Sequence, residues 1–137
     1  MPQELEAHLK DASHFKGHAQ RIIHPASEEE VALLLRQAQK EKIPITISGA
    51  GTGLTGARVP LGGWVLCTER MNQIQEVRWD GSSLEGTVRV QPGVSLQGLE
   101  AALEPQGLFY PPDPGEKAAS VGGTIATNAS GSRSLKY

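Results

Sequence analysis

Residues Ser48 to Gly56 read S-G-A-G-T-G-L-T-G, directly after the apolar run Ile43–Ile47. Four glycines in nine residues contribute nothing to a core. They suit a different task. Without a β-carbon the chain can enter φ > 0, and no side chain holds a ligand away from the backbone. Successive N–H groups in such a loop form a nest for an anion. The elements of that nest are Ser48, Gly49, Ala50, Gly51, Thr52, Gly53, Leu54, Thr55 and Gly56, with Thr52 and Thr55 able to add hydroxyl donors. A second segment, P-P-D-P-G-E-K-A-A-S-V-G-G-T-I-A-T-N-A-S-G, runs from Pro111 to Gly131. Ser120, Thr124, Thr127, Asn128 and Ser130 supply neutral hydrogen-bonding groups there. Gly122 and Gly123 permit close approach of backbone. Two such segments, far apart in sequence, point to a long anionic ligand held at several places.

The loop passes the pattern G-x-G-x-x-G at Gly51, Gly53 and Gly56, and Glu69 stands where a ribose-binding acid of a dinucleotide fold would stand. The context excludes that fold. Its helix must begin in the glycine loop and cross back to a parallel strand, which takes about a dozen residues or more. Only residues 57–63 separate Gly56 from the next strand-like run, and they include Pro60, Gly62 and Gly63. No Gly-Lys-Ser/Thr follows the loop, so it is not a P-loop either.

The elements that must position these loops are legible. Ser27-Glu28-Glu29-Glu30 forms a capping box, and Val31, Leu34, Leu35 and Ala38 follow at helical spacing, predicting a helix from Glu28 to about Lys40. Leu5, Leu9 and Ala12 predict a short amphipathic helix over 4–12. Extended segments are expected at Arg21–His24, Ile43–Ile47, Trp64–Thr68, Glu76–Trp79 and Thr87–Gln91. Ser95 caps a predicted helix carrying Leu96, Leu99, Ala102 and Leu103 and ending before Gly107. From Pro111 to Gly115 the prolines forbid regular structure.

Composition narrows the class. The 137 residues carry a net charge of −2, with 38% hydrophobic and 20% charged residues. That describes a globular domain without the basic surface that nucleic acid requires. No apolar run reaches transmembrane length. Cys67 is the single cysteine, so no internal disulfide forms and a buried, inert thiol in a cytoplasmic protein is expected. His14 and His18 stand four apart, but Gly17 weakens a helix there, and no metal site is expected.

The order of motifs carries a more specific signal. A helix, P-I-T-I-S-G-A-G-T-G-L-T-G, V-L-C-T-E-R-M-N-Q-I, V-R-V-Q-P-G-V-S-L, and P-P-D-P-G with S-V-G-G-T-I-A-T-N-A-S-G resembles the FAD-binding domain of FAD-linked oxidases. This is the vanillyl-alcohol oxidase / p-cresol methylhydroxylase type, and the branch it most resembles is that of D-lactate dehydrogenases and glycolate oxidase D-subunits. The resemblance runs from about Ile22 to Tyr137.

It implies an α+β fold, with a small parallel β-α-β subdomain followed by an incomplete, mostly antiparallel second subdomain. The expected divisions are 1–20, an N-terminal helical segment; 21–80, the first subdomain; and 81–137, the start of the second. It also implies that Ser48–Gly56 holds the pyrophosphate and that Pro92, Gly93 and Val94 turn toward the cofactor. Pro111, Asp113, Pro114, Gly115 and Ser120 would line the adenosine side. Val121, Gly122, Gly123, Thr127, Asn128, Ala129 and Ser130 would lie near the isoalloxazine or ribityl chain. No histidine lies in the loop, so non-covalent FAD is implied. The implied reaction is hydride transfer from a 2-hydroxy acid to the flavin. The family's substrate-handling groups lie beyond this stretch, so no catalytic residue is assigned. An incomplete second subdomain would expose apolar surface, so self-association or docking of the remainder of the enzyme is expected, with any membrane attachment peripheral and through partners. Two other readings stay open: a truncated or split module that only binds FAD or a partner chain, and another flavoenzyme of the same fold group. Asp113 is read either as a ribose ligand or as a cap of its own turn. Arg58, Arg133 and Lys136 are read as surface charges that could also help neutralise a diphosphate.

Overall fold

A computed structural model describes residues 6–136. The chain forms two compact units, Met1–Met71 and Asn72–Tyr137.

In the first unit, β1 (Arg21–Ile23), α1 (Glu28–Glu41), β2 (Ile45–Ser48) and β3 (Trp64–Cys67) follow in order. The three strands form a parallel sheet in the order β1-β3-β2, with Ile23 beside Leu66 and Ser48 beside Cys67. The central strand is W-V-L-C, and all four residues are buried. A continuous apolar run is what a parallel strand covered on both faces requires. Helix α1 crosses between β1 and β2. The Ser27 hydroxyl accepts the Glu30 N–H at 3.2 Å, and the Glu30 carboxylate accepts the Ala26 N–H at 2.7 Å. The box therefore closes one residue earlier than the reciprocal Ser27 pairing expected of it. The helix ends at Lys42, in the left-handed region at φ 57°.

The second unit holds the antiparallel pair β4 (Ile74–Arg78) and β5 (Thr87–Val90), then α2 (Leu96–Leu103) and α3 (Val121–Ala126). Its core is Val94, Leu96, Leu99, Leu103, Ala119 and Val121, packed against Ile74, Val77, Val88, Val90, Leu108 and Tyr110. Each fully buried leucine contributes about 1.5–3 kcal/mol. The Ser95 hydroxyl caps α2 by accepting the Gly98 N–H at 3.0 Å, and the chain leaves the following turn at Gly107, φ 71°.

Three expectations are corrected. The helix over 4–12 lies partly outside the described residues; within them, the chain turns after Ala7, and Lys10 bridges to Lys16 instead. The division between units falls after Met71, not after residue 80, because β4 pairs with β5 and not with the parallel sheet. The stretch after Ser120 is not a loop. Val121–Ala126 is helical despite its two glycines.

Candidate functional site: two glycine-bearing anchors

The glycine loop leaves the carboxyl end of β2, the edge at which open α/β sheets bind ligands. Ser48 is buried at the strand end. Gly51 lies at φ 80° and Gly56 at φ 74°, conformations that side chains resist. Among the described residues, none accepts a main-chain hydrogen bond from the N–H groups of Gly51, Thr52, Gly53, Leu54 or Thr55. These five consecutive donors are therefore uncommitted among the described residues.

Arg58 braces this loop from within. Its guanidinium donates to Ser48 Oγ at 3.0 Å, Gly49 O at 2.8 Å, Lys10 O at 2.9 Å and Ala7 O. A β-carbon on Gly51 would fall 2.5 Å from Arg58 Nη2 and 2.7 Å from Nη1. The glycine is therefore required by the arginine as well as by its own φ. Burial lowers the Arg58 pKa, and nearby carboxylates at Asp11 and Glu69 partly oppose that. The charge remains, set against the start of the nest. The sequence alone suggests a surface charge that could also help neutralise a diphosphate; the structure makes Arg58 the loop's internal support. Its only sequence signal was its place two residues after the last glycine.

Gly53 behaves differently. Its φ is not in the left-handed region, and a β-carbon there would meet nothing nearer than Asp11 Oδ2 at 4.0 Å. The chain itself does not need glycine at 53. A ligand approaching the backbone would.

The second unit gathers the other predicted residues. The turn Pro92–Gly93–Val94 packs on the start of α3: Gly122 N–H donates to Pro92 O at 2.9 Å, and Val121 N–H donates to Val94 O at 2.8 Å. A β-carbon on Gly122 would lie 2.6 Å from Pro92 Cβ, so this glycine allows the close approach of that turn. Ser120 is buried and caps α3, accepting the Gly123 N–H at 3.3 Å. Thr124 and Thr127 spend their hydroxyl protons on Val121 O (2.8 Å) and Gly123 O (2.9 Å). Asn128 sits at φ 50°. Among the described residues, none bonds its carboxamide or the Ser130 hydroxyl, so these two groups keep their capacity.

Asp113 is engaged by two cations of its own unit. Its Oδ1 takes Lys117 Nζ at 2.5 Å, its Oδ2 lies 3.5 Å from Arg133 Nε, and Lys117 also bonds Glu100 Oε1 at 2.5 Å. The hydrogen bond from Lys117 holds the Asp113 carboxyl below its ordinary value, and the same bond raises the Lys117 ammonium. Arg133 also lies over the Phe109 ring, 5.3 Å from its centroid.

The sequence profile of the family described as "FAD binding domain" matches residues 19–137. The chain belongs to this FAD-binding domain family. FAD is accordingly its cofactor, and the p-cresol methylhydroxylase type of fold, with a three-stranded parallel sheet and an antiparallel pair, is the one observed. The domain is 44% identical to a D-lactate dehydrogenase of Anaerostipes hadrus over 131 residues, 95% of this chain and 27% of that protein. It is 42% identical to the glycolate oxidase subunit GlcD of Bacillus subtilis over 118 residues, 85% of this chain and 24% of that one. Among solved structures, it matches an alkyldihydroxyacetonephosphate synthase with a TM-score of 0.73 and 32% identity, covering 85% of this chain and 22% of that one. The chain thus spans about a quarter of the length of the curated relatives it matches. The open N–H row at 51–55 and the unfilled space at Gly53 fit the diphosphate of FAD. No described helix is long and apolar enough to cross a membrane.

Proposed function

We propose that this chain is the flavin-holding part of an FAD-dependent oxidoreductase acting on a 2-hydroxy acid of the D-lactate or glycolate type. Relatives named D-lactate dehydrogenase, glycolate oxidase subunit and D-2-hydroxyglutarate dehydrogenase support the substrate class. The observation that carries the binding role is the row of uncommitted N–H donors in a loop braced by Arg58.

In this reading the N–H groups of 51–55, with Thr52 and Thr55, hold the pyrophosphate non-covalently. Arg58 fixes the entry to the loop and contributes positive charge. Asn128 and Ser130 bond the cofactor's polar groups. The Pro92–Val94 turn and the Ser120–Gly123 helix start form one rigid support, since each bonds the other. Bound FAD supplies the hydride acceptor. The groups that bind the substrate belong to the portion of the relatives that this chain does not span. That portion is also the partner for exposed apolar side chains such as Leu61, Ile125 and Leu84.

The test is anaerobic. D-lactate, glycolate or D-2-hydroxyglutarate is added to the FAD-loaded flavoprotein that contains this domain, and the flavin absorbance is followed. Bleaching by at least one of them is expected. Bound flavin that stays oxidised with all three, yet is reduced by dithionite, would overturn the substrate class.

A further inference from the structure

Three donor-bearing side chains meet at the carboxyl ends of β1 and β3. His24 directly follows β1, and Cys67 ends β3; the register pairs Ile23 with Leu66, which puts these two positions side by side. His8 arrives from the N-terminal segment. Its Nδ1 lies 3.3 Å from Cys67 Sγ, and its ring meets that of His24 edge-on, with centroids 5.1 Å apart. One donor atom of each residue lies within 4.8 Å of the other two. A fourth group completes the pattern: Glu69 Oε1 is 2.6 Å from His24 Nδ1. A carboxylate on Nδ1 sets the tautomer with the lone pair on Nε2, the arrangement that metal-bound histidines generally show.

We propose that His8, His24 and Cys67 form a site for a borderline-soft divalent transition metal of the Zn²⁺ class, with Glu69 positioning His24. The donor set, two imidazoles and a thiolate, selects that class over Mg²⁺ or Ca²⁺, which take oxygen ligands. Tetrahedral bonds of about 2.0–2.1 Å to nitrogen and 2.3 Å to sulfur put neighbouring donors about 3.4–3.6 Å apart. The His8–Cys67 separation of 3.3 Å is close to this range, and the three donor atoms lie within 4.8 Å of one another. Three protein donors leave the fourth position to water. Cys67 binds as thiolate, and its proton leaves to solvent. Such an ion would pin the N-terminal segment, whose Ala7 and Lys10 carbonyls hold Arg58, to the sheet edge from which the glycine loop departs. It is a structural clip for the loop's support, separate from the loop's own donors.

The experiment uses Co²⁺ as an optical probe on the metal-free chain without a histidine tag. One equivalent is expected to produce the intense visible absorption of a four-coordinate ion and a near-ultraviolet thiolate-to-cobalt band, both removed by Zn²⁺. Cys67→Ser should abolish the thiolate band. Glu69→Gln, at a half-exposed side chain, should weaken Co²⁺ binding about 10- to 100-fold, and it reads the site whether or not serine is accepted at the buried position. His14→Ala and His18→Ala should change nothing. A weak six-coordinate spectrum, the absence of a thiolate band in the folded wild-type chain, or binding that survives Glu69→Gln and His24→Gln unchanged would each overturn the site.

Discussion

Among the described residues, a methyl group at position 53 meets nothing closer than an ordinary contact, which makes Gly53→Ala a probe of binding alone. The new β-carbon would be 4.0 Å from Asp11 Oδ2, an ordinary contact, and the backbone there is not left-handed. Alanine at such a position restricts the unfolded chain, so the cofactor-free protein should be unchanged or more stable by about 0.4–1 kcal/mol. FAD binding should move the other way. A hydrogen bond from a backbone N–H to a charged oxygen is worth about 1.5–3 kcal/mol. A methyl that holds one phosphate oxygen out of reach therefore raises Kd about 10- to 150-fold. Quenching of flavin fluorescence gives the affinity, and thermal unfolding of the cofactor-free protein gives the stability. Gly51→Ala is the contrast. Its φ of 80° and the guanidinium against it make that substitution costly to the loop itself, so it lowers both readings. If Gly53→Ala leaves Kd within about twofold of the parent, the phosphate does not sit on this backbone and the nest assignment is wrong.

Other consequences follow from the same contacts. Gly122→Ala drives a β-carbon to 2.6 Å from Pro92 Cβ, and the overpacking should cost about 1–3 kcal/mol in urea unfolding; an unchanged midpoint would show that the Pro92 turn is free to shift. Asp113 titrates below its ordinary 3.8, first through the Lys117 hydrogen bond, so its stabilisation is complete above that value and is lost as pH falls through the lowered one. Lys117 titrates above its ordinary 10.5, so its share is present below that value and is lost as pH rises through the raised one. Asp113→Asn should flatten both limbs of the stability–pH curve, and a curve that keeps its acid slope would remove Asp113 from the account. Burial first, and the charge of Glu69 second, push the Cys67 thiol up to about 11. In the metal-free native protein it should resist Ellman's reagent at pH 8 and react promptly in urea; rapid native reaction would contradict the buried thiol.

Much of the fold was legible in local pattern. Helix α1 declared itself through Ser27, Glu30 and the spacing of Val31, Leu34, Leu35 and Ala38. Strand β3 did so through an unbroken apolar run. Both signals depend on residues near one another in sequence, as capping and amphipathic periodicity do. Helix α3 did not declare itself. Two glycines in its first turn cost about 1 kcal/mol each in helix propensity, so the segment reads as a loop. What forms it is the Ser120 cap, the burial of Val121 and Thr124, and the Pro92 turn that only a glycine at 122 admits. Tertiary packing there outweighs the local preference.

The glycine loop shows the same division. Its four glycines, and the missing crossover helix behind them, by themselves point to an anion nest rather than a dinucleotide turn, and the order of motifs points to FAD. Sequence also set the elements that carry the loop, because helix periods and caps are short-range properties. It did not separate the roles of the glycines. Gly51 is needed by Arg58 and by its own φ, whereas Gly53 is left open to a ligand. Nor did it join His8, His24 and Cys67, whose proximity arises from parallel strand register across more than forty residues. Contacts between distant residues have no period to read. They exist only once the sheet has formed, and there the structure alone shows which residues support the loop and which position leaves its backbone open.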